Sequence, residues 1–168
     1  MTEKNEKKKY NLRYVPKKLT QKDRKKQMNM LSKSKKMYKK GKYFTRKFVK
    51  SFKSKSSSHV IKAKKMYDVD KIGATDELSK KTGCTKSALA KIINKGEGAY
   101  YSSGSRPNQT PQSWGIARLA SSLTSGKSAA VDYNILIEGC KRGSKGYKSA
   151  QNARRKHGYG TRRVTKVH

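Results

Sequence analysis

Polar and apolar residues adopt a helical period soon after the lysine-rich start of the chain. Thr20 precedes Gln21, Lys22 and Asp23, an order typical of a helix N-cap followed by an acidic residue in the first turn. Residues at helical spacing then continue as far as Gly41, namely Arg24, Met28, Leu31, Lys35 and Tyr38. The pattern predicts one basic amphipathic helix.

Two shorter patterns follow this helix. Residues 43–52 alternate only in part between aromatic and basic side chains, which fits either a short strand or an extended arm. The serines Ser56, Ser57 and Ser58 are suited to cap a second helix, which should end near Asp68. Its apolar stripe would consist of Val60, Ala63 and Tyr67.

The sharpest local pattern is a predicted helix-turn-helix between Thr75 and Asn94. Thr75 would cap the first helix, Gly83 would supply the tight turn, and Thr85 would cap the second helix. In such a motif, exposed residues near the start of the second helix enter the DNA major groove. Here those residues would be Lys86, Ser87 and Lys91. A plain helical hairpin inside a small α domain is the alternative.

Residues 96–114 are rich in glycine, serine and proline, and they predict a long functional loop. The Ser102 and Ser103 hydroxyls and the Arg106 guanidinium would suit a bound anion. Alternatively, the loop is pinned by its own hydrogen bonds, with Tyr100, Tyr101 and Trp114 in the core. Thr110 and Pro111 would start the next helix, and a last core element would run from Ser128 or Ala129 to a C′ glycine at Gly139.

These elements predict a mainly α fold, with a small helical core, a helix-turn-helix-like hairpin and flanking basic arms. The expected segments are a basic N-terminal arm at 1–19, basic helices with their connection at 20–69, a compact helical core at 70–140, and a basic C-terminal tail at 141–168. Tyr147 and Tyr159 in the tail would be placed to stack on bases if the target were single-stranded.

Charge points to a polyanionic partner. The chain has 44 Lys and Arg against 10 Asp and Glu, a formal net charge of +34 on 168 residues. We therefore expect nucleic acid as the partner, DNA rather than RNA, or else acidic lipid or an acidic protein. The candidate nucleic-acid contacts are Lys86, Ser87, Lys91, Arg106, Arg118, Arg154, Arg155, Arg162 and Arg163.

The residues offer no catalytic, metal or cofactor site. Gly126, Lys127 and Ser128 imitate the end of a phosphate-binding P-loop, but Ser121 stands where that motif requires glycine. Acidic residues and histidines are too scattered for catalysis or metal binding, so we expect no enzyme, no cofactor and no small-molecule substrate. Cys84 and Cys140 have no C-x-x-C spacing, which favours two separate thiols in a soluble protein made in a reducing compartment.

Several stretches resemble a family of unknown function from large double-stranded DNA viruses of eukaryotes, the nucleocytoplasmic large DNA viruses, with similar segments in some tailed phages. The resemblance covers roughly 10–140 and is strongest at 98–111, which includes Arg106 and Pro107, and at 113–120 around Trp114. It implies a viral setting, in the virion and, during assembly, in the host cytoplasm or nucleus. In that setting, the acidic inner surface of capsid proteins or membrane is the alternative partner to nucleic acid.

Three functions fit that setting. The first is a basic virion protein that binds viral DNA as a genome-associated or minor capsid component. The second is a helix-turn-helix regulator that reads DNA sequence, and the third is an RNA- or ribosome-associated basic protein.

Overall fold

The computed structural model describes residues 10–160, which are mainly helical as the sequence predicts. Helices account for 60% of these residues, and no strand occurs among them. In chain order the helices are α1 (Gln21–Lys39), α2 (Ser58–Tyr67), α3 (Asp76–Thr82), α4 (Lys86–Ser102), α5 (Pro111–Leu123), α6 (Lys127–Val131), α7 (Tyr133–Gly139) and α8 (Lys145–His157).

The chain divides into two compact units that alternate along the sequence. Within the described residues, unit 1 comprises 10–55 and 98–111, and unit 2 comprises 56–97 and 112–160. The four consecutive segments expected from the sequence therefore do not coincide with these units. Among residues 10–160, no helix has the length and apolar character needed to cross a bilayer.

Unit 1 packs around the apolar face of α1. Its cluster contains Val15, Leu19, Met30, Leu31, Val49 and Phe52. Residues 10–19, expected to belong to an arm, thus supply three buried residues, of which Val15 and Leu19 belong to this cluster. The predicted stripe on α1 is rotated, because the buried face includes polar Gln27 and Ser34 and leaves Tyr38 at 37% exposure. Both polar groups are hydrogen-bonded inside the unit, which explains why they tolerate burial.

Residues 42–49 form neither helix nor strand, so of the two alternatives they follow the extended one. Asn108 holds this segment in place, since its side chain accepts a hydrogen bond from the Val49 backbone N–H at 2.8 Å. The same side chain donates to the carbonyls of Val49 and Phe52 at 3.1 and 2.7 Å. Asn108 has a positive φ of 61°, a backbone conformation that Asn tolerates better than most residues.

Unit 2 has a core of aliphatic and small side chains drawn from all of its helices. Its largest fully buried members are Tyr67, Leu78, Leu89, Ile92, Leu119, Leu123 and Leu136. Burial raises the pKa of Tyr67 to about 12, and its hydroxyl donates to the Leu123 carbonyl. The phenol therefore stays neutral and hydrogen-bonded at physiological pH.

Helix α8 lies in the segment expected to be a basic tail. Its buried face consists of Gly146, Ser149, Ala150 and Ala153, and the two alanines belong to the core of unit 2. Small residues at this helical spacing allow a helix to approach its neighbours closely, even though basic side chains surround them in sequence. The tail prediction is wrong for 145–157, and 161–168 lies outside the described residues.

Helix α4 continues through the glycines that suggested a loop. A Cβ on Gly96 would lie 2.5 Å from the Gly115 Cα, so the two glycines permit close contact between α4 and α5. The loop that was expected to begin at residue 96 therefore begins after Ser102, and α5 starts at Pro111 as predicted. Trp114 is only partly buried.

The last predicted core element is split into two short helices at Asp132. Gly139 is the final residue of α7, and Cys140 rather than glycine occupies the C-cap. The break places the Asp132 carboxylate inside unit 2, where cationic and hydroxyl donors surround it. The apolar residues from Ala129 to Ile137 predict a single helix, so their pattern does not reveal the break at Asp132.

Candidate nucleic-acid interface

Helices α3 and α4 form the hairpin that the sequence predicts. The Thr75 hydroxyl accepts a hydrogen bond from the Leu78 backbone N–H at 3.2 Å and caps α3. Gly83 follows α3 with a φ of 76°, and the Thr85 hydroxyl accepts from the Ala88 N–H at 3.1 Å at the start of α4. These caps satisfy backbone donors that a helix start leaves unpaired.

The first turns of α4 present the three predicted contact residues to solvent. Lys86, Ser87 and Lys91 are all exposed, whereas Leu89 and Ile92 on the opposite face are fully buried. Asn94 is exposed one turn further along the helix. Asn94 is not among the contacts predicted from the sequence, although an Asn on a helix in the major groove can form two hydrogen bonds with the major-groove edge of adenine.

A shallow groove of about 220 Å³ runs beside this helix start. It is lined by Thr85, Ser87, Ala88, Lys91, Ile135, Glu138 and Gly139. Lys91 brings a positive charge to the groove and Glu138 a negative one, so the groove offers both a donor and an acceptor. This combination suits the edges of bases better than a run of phosphates.

Lys86 already has a partner within the hairpin. Its ammonium lies 2.9 Å from the Asp76 carboxylate, and the hydrogen bond from Lys86 holds the Asp76 pKa below its usual value. Both side chains are more than half exposed. Exposed pairs of this kind contribute little to stability, so a phosphate can compete for the lysine.

A disulfide joins the turn of the hairpin to the end of α7. Cys84 and Cys140 are bonded to each other, and no cysteine in residues 10–160 is free. The expectation of two separate thiols is therefore wrong. Spacing in the sequence could not reveal the pair, because 56 residues of folded chain bring the two positions together.

Backbone pairing and close packing surround this disulfide. The Thr85 N–H donates to the Gly139 carbonyl and the Lys141 N–H to the Gly83 carbonyl, both at 2.8 Å. A Cβ on Gly146, in the first turn of α8, would lie 2.2 Å from the Cys84 sulfur. The start of α4 is thus fixed by its own caps, by the paired backbone and by the covering helix.

Arg118, one of the predicted nucleic-acid contacts, is paired with a buried carboxylate of unit 2. Its guanidinium donates two hydrogen bonds to the Asp132 carboxylate, at 2.9 and 2.8 Å, and the Asp132 side chain is fully buried. Lys95 lies 3.3 Å from the same carboxylate, and the Ser122 hydroxyl donates to it at 3.2 Å. The charge of Arg118 is therefore neutralised inside unit 2.

The remaining predicted contacts are scattered. The Arg154 guanidinium carbon lies 4.0 Å from the ring centre of Tyr133 and 4.6 Å from that of Tyr159. Arg155 is exposed on the same helix and donates to the Asn152 side chain. Arg162 and Arg163 lie outside the described residues.

The residues of the predicted anion-binding loop lie at the end of α4 and just after it. Ser102 is the last residue of α4, and Ser103 and Arg106 after it are exposed. A helix end presents carbonyl groups with partial negative charge, which disfavours an anion beside Ser102 and Ser103. Anion binding by Ser102, Ser103 and Arg106 stays a prediction.

Sequence analysis overlooked Arg46, a buried arginine in unit 1. It is 8% exposed, and its guanidinium donates to the Ser34 hydroxyl at 3.0 Å, the Tyr100 carbonyl at 2.8 Å and the Ser105 hydroxyl at 2.8 Å. Burial lowers its pKa. A buried cation is thus bound by neutral acceptors. The many lysines around Arg46 in sequence give no indication that this one basic residue is buried.

Groups of three or more histidine, cysteine, aspartate or glutamate side chains able to hold a metal ion are absent from residues 10–160. Comparison with protein families gives a match to a family of unknown function, DUF5824, over residues 11–136. The chain belongs to the DUF5824 family. No curated protein and no solved structure has significant similarity to it.

The DUF5824 region contains α1 to α6 and most of the groove beside α4. It includes Arg46, the hairpin and the Asp132 cluster. The match ends before Cys140 and α8, so one half of the disulfide and the helix that covers it lie beyond the matched residues.

Proposed function

We propose that this DUF5824 protein is a non-enzymatic virion protein that binds viral DNA, as a genome-associated or minor capsid component. The observation that carries the proposal is uncompensated positive charge. With 44 basic and 10 acidic residues, most lysines and arginines have no carboxylate available within the chain. Phosphates of a nucleic acid are the most abundant source of compensating charge.

The distribution of the acidic residues strengthens this argument. Asp132 is already shared by Arg118 and Lys95, and Asp76 by Lys86. Asp23 is the single acidic residue within 10–55 and 98–111. Unit 1 therefore has a basic surface whose charge an acidic partner would neutralise, and we favour DNA as that partner.

The viral setting comes from the resemblance of 98–111 and 113–120 to proteins of large DNA viruses. A packaged protein would serve in the virion and be made in the host cytoplasm or nucleus during assembly. High abundance in purified particles, measured by mass spectrometry, separates this role from that of a regulator or an RNA-associated protein, both of which act in the infected cell.

Binding to duplex DNA should depend steeply on salt. Each phosphate neutralised by a lysine or arginine contributes about −0.9 to the slope of log K against log salt. We expect a slope corresponding to many contacts in fluorescence anisotropy titrations between about 50 and 200 mM salt. Affinity that is weak at low salt and barely changes as salt is added would refute the proposal.

A second function, the reading of DNA sequence, is favoured by the capped hairpin and its exposed helix start. If α4 enters a major groove, replacing Lys86 and Ser87 by Ala should alter the preferred sequence selected from a random duplex pool. The expected change is about 1–3 kcal/mol at the contacted base pair.

A charge-matched control makes this test specific. Lys62 is exposed on α2, away from the hairpin in sequence, so Lys62→Ala removes one charge and should weaken all duplexes alike. If the Lys86 and Ser87 changes also weaken every duplex equally, these residues contact the DNA backbone. If they change nothing, the hairpin is purely structural.

A further inference from the structure

Four tyrosine rings of unit 1 contact one another at the ends of α1 and α4. Tyr38 and Tyr101 are nearly parallel, with ring centres 6.3 Å apart and planes 6° apart. Tyr43 lies 5.0 Å from Tyr101 and 6.2 Å from Tyr38, and Tyr100 meets Tyr101 edge-on at 5.2 Å. We call these four residues the tyrosine platform.

The platform is exposed on one side and anchored on the other. Tyr43 is 69% exposed and Tyr38 is 37% exposed, whereas Tyr100 is fully buried. The Tyr100 ring lies 3.8 Å from the guanidinium carbon of Arg46, and its hydroxyl accepts a hydrogen bond from the Arg46 backbone N–H at 2.9 Å. The buried arginine therefore fixes the base of an aromatic surface that faces solvent.

Lysines flank the exposed rings along the chain. Lys39, Lys40 and Lys42 lie next to Tyr38 and Tyr43 in sequence, and all three are exposed. At 1.5 Å per residue, Asp23 lies about 22 Å along α1 from Tyr38, beyond the screening length of about 8–10 Å. Glu97 lies one helical turn before Tyr101 on α4, so these three lysines outnumber the one carboxylate near the rings in sequence.

We propose that the tyrosine platform is a binding site for single-stranded nucleic acid, with bases stacked on Tyr43 and Tyr38 and phosphates held by the flanking lysines. Proteins that bind single-stranded nucleic acids combine aromatic rings, on which bases stack, with a basic surface that binds the phosphates. A duplex does not fit as well, because its bases are already stacked on each other and only their edges are accessible. This binding mode differs from charge neutralisation of duplex DNA. It rests on the proposed function only in assuming that the partner is a nucleic acid.

The test compares two labelled probes that carry the same number of phosphates, an oligothymidylate and an abasic oligonucleotide of equal length. Stacking of one base is worth about five- to 150-fold in affinity. The full-length protein should therefore bind oligothymidylate at least about fivefold more tightly in fluorescence anisotropy. An oligouridylate probe tests whether RNA binds equally well.

Variants without a change of charge locate the effect. Tyr43→Ala should abolish most of the preference for oligothymidylate, whereas Tyr43→Phe should keep it because the ring remains. Tyr43 is largely exposed, so neither change should alter the melting temperature. Phe48→Ala is the matched control, since Phe48 is 64% exposed, lies close in sequence to Lys47 and Lys50 of the same unit, and is not one of the four rings.

Equal affinity of the wild-type protein for both probes would overturn the proposal, as would a preference that survives Tyr43→Ala. Duplex binding measured on the same proteins separates the two hypotheses. Steep salt-dependent binding to duplex without any base preference on single strands would refute the platform alone. A strong base preference with weak duplex binding would refute the duplex proposal and retain the platform.

Discussion

Arg118→Met should lower the free energy of unfolding by about 3–5 kcal/mol, measured by urea denaturation. The change removes both guanidinium hydrogen bonds from the fully buried Asp132 carboxylate. Lys95 then remains as the nearest cation, but at 3.3 Å and with half of its side chain in solvent it compensates the buried charge only in part. A buried carboxylate that loses its main partner is among the costliest defects in a protein interior.

Removal of both charges should cost less than removal of one. The double variant Arg118→Met with Asp132→Asn leaves no buried ion, so we expect it to be more stable than Arg118→Met alone. Lys95→Met tests the weaker contact and should cost about 1 kcal/mol or less. Unchanged stability with weakened DNA binding in Arg118→Met would instead restore Arg118 to the nucleic-acid contacts predicted from the sequence.

Reduction of the disulfide should cost about 4 kcal/mol, because it opens a long covalent loop and frees the unfolded chain. Cys84 and Cys140 are separated by 56 positions, and the loop-closure entropy grows with that length. Thermal melting with and without a thiol reductant measures the effect. We expect a clear decrease in the melting temperature of the wild-type protein on reduction.

The double variant Cys84→Ser with Cys140→Ser is the control for this experiment. It should melt near the reduced wild-type protein and should not respond to the reductant. A wild-type melting temperature that is independent of the reductant would show that the bond contributes nothing to stability. The backbone pairing of 83–85 with 139–141 would then fix the hairpin turn without it.

Helix boundaries could be predicted where the signal was local. Thr20, Thr75 and Thr85 each accept the capping hydrogen bond that their positions suggest, and Gly83 adopts the positive φ that a tight turn requires. Prediction failed where the cause was a contact distant in sequence. In the sequence, Gly96 looks like a loop residue. In the structure it lies within a helix, and glycine is needed there because the backbone of Gly115 on another helix is too close for a side chain.

The residues of the candidate site also differ in whether a local pattern could predict them. Exposure of Lys86, Ser87 and Lys91 followed from the helical period alone. The sequence around Arg118 does not indicate a partner for its charge, because the Asp132 carboxylate that binds it lies 14 positions away on another element. Arg46 stands among lysines, and its burial depends on acceptors that include Tyr100 and Ser105, more than 50 positions away in the sequence.

The alternation of the two units along the chain has a consequence for proteolysis and for fragments. Residues 98–111 of unit 1 lie between the two stretches of unit 2, so any single cut between 56 and 111 divides at least one unit. A nicked protein should therefore lose cooperative unfolding unless its pieces stay associated. Two fragments produced separately should regain helical structure when mixed, because each carries segments that the other needs to complete a core.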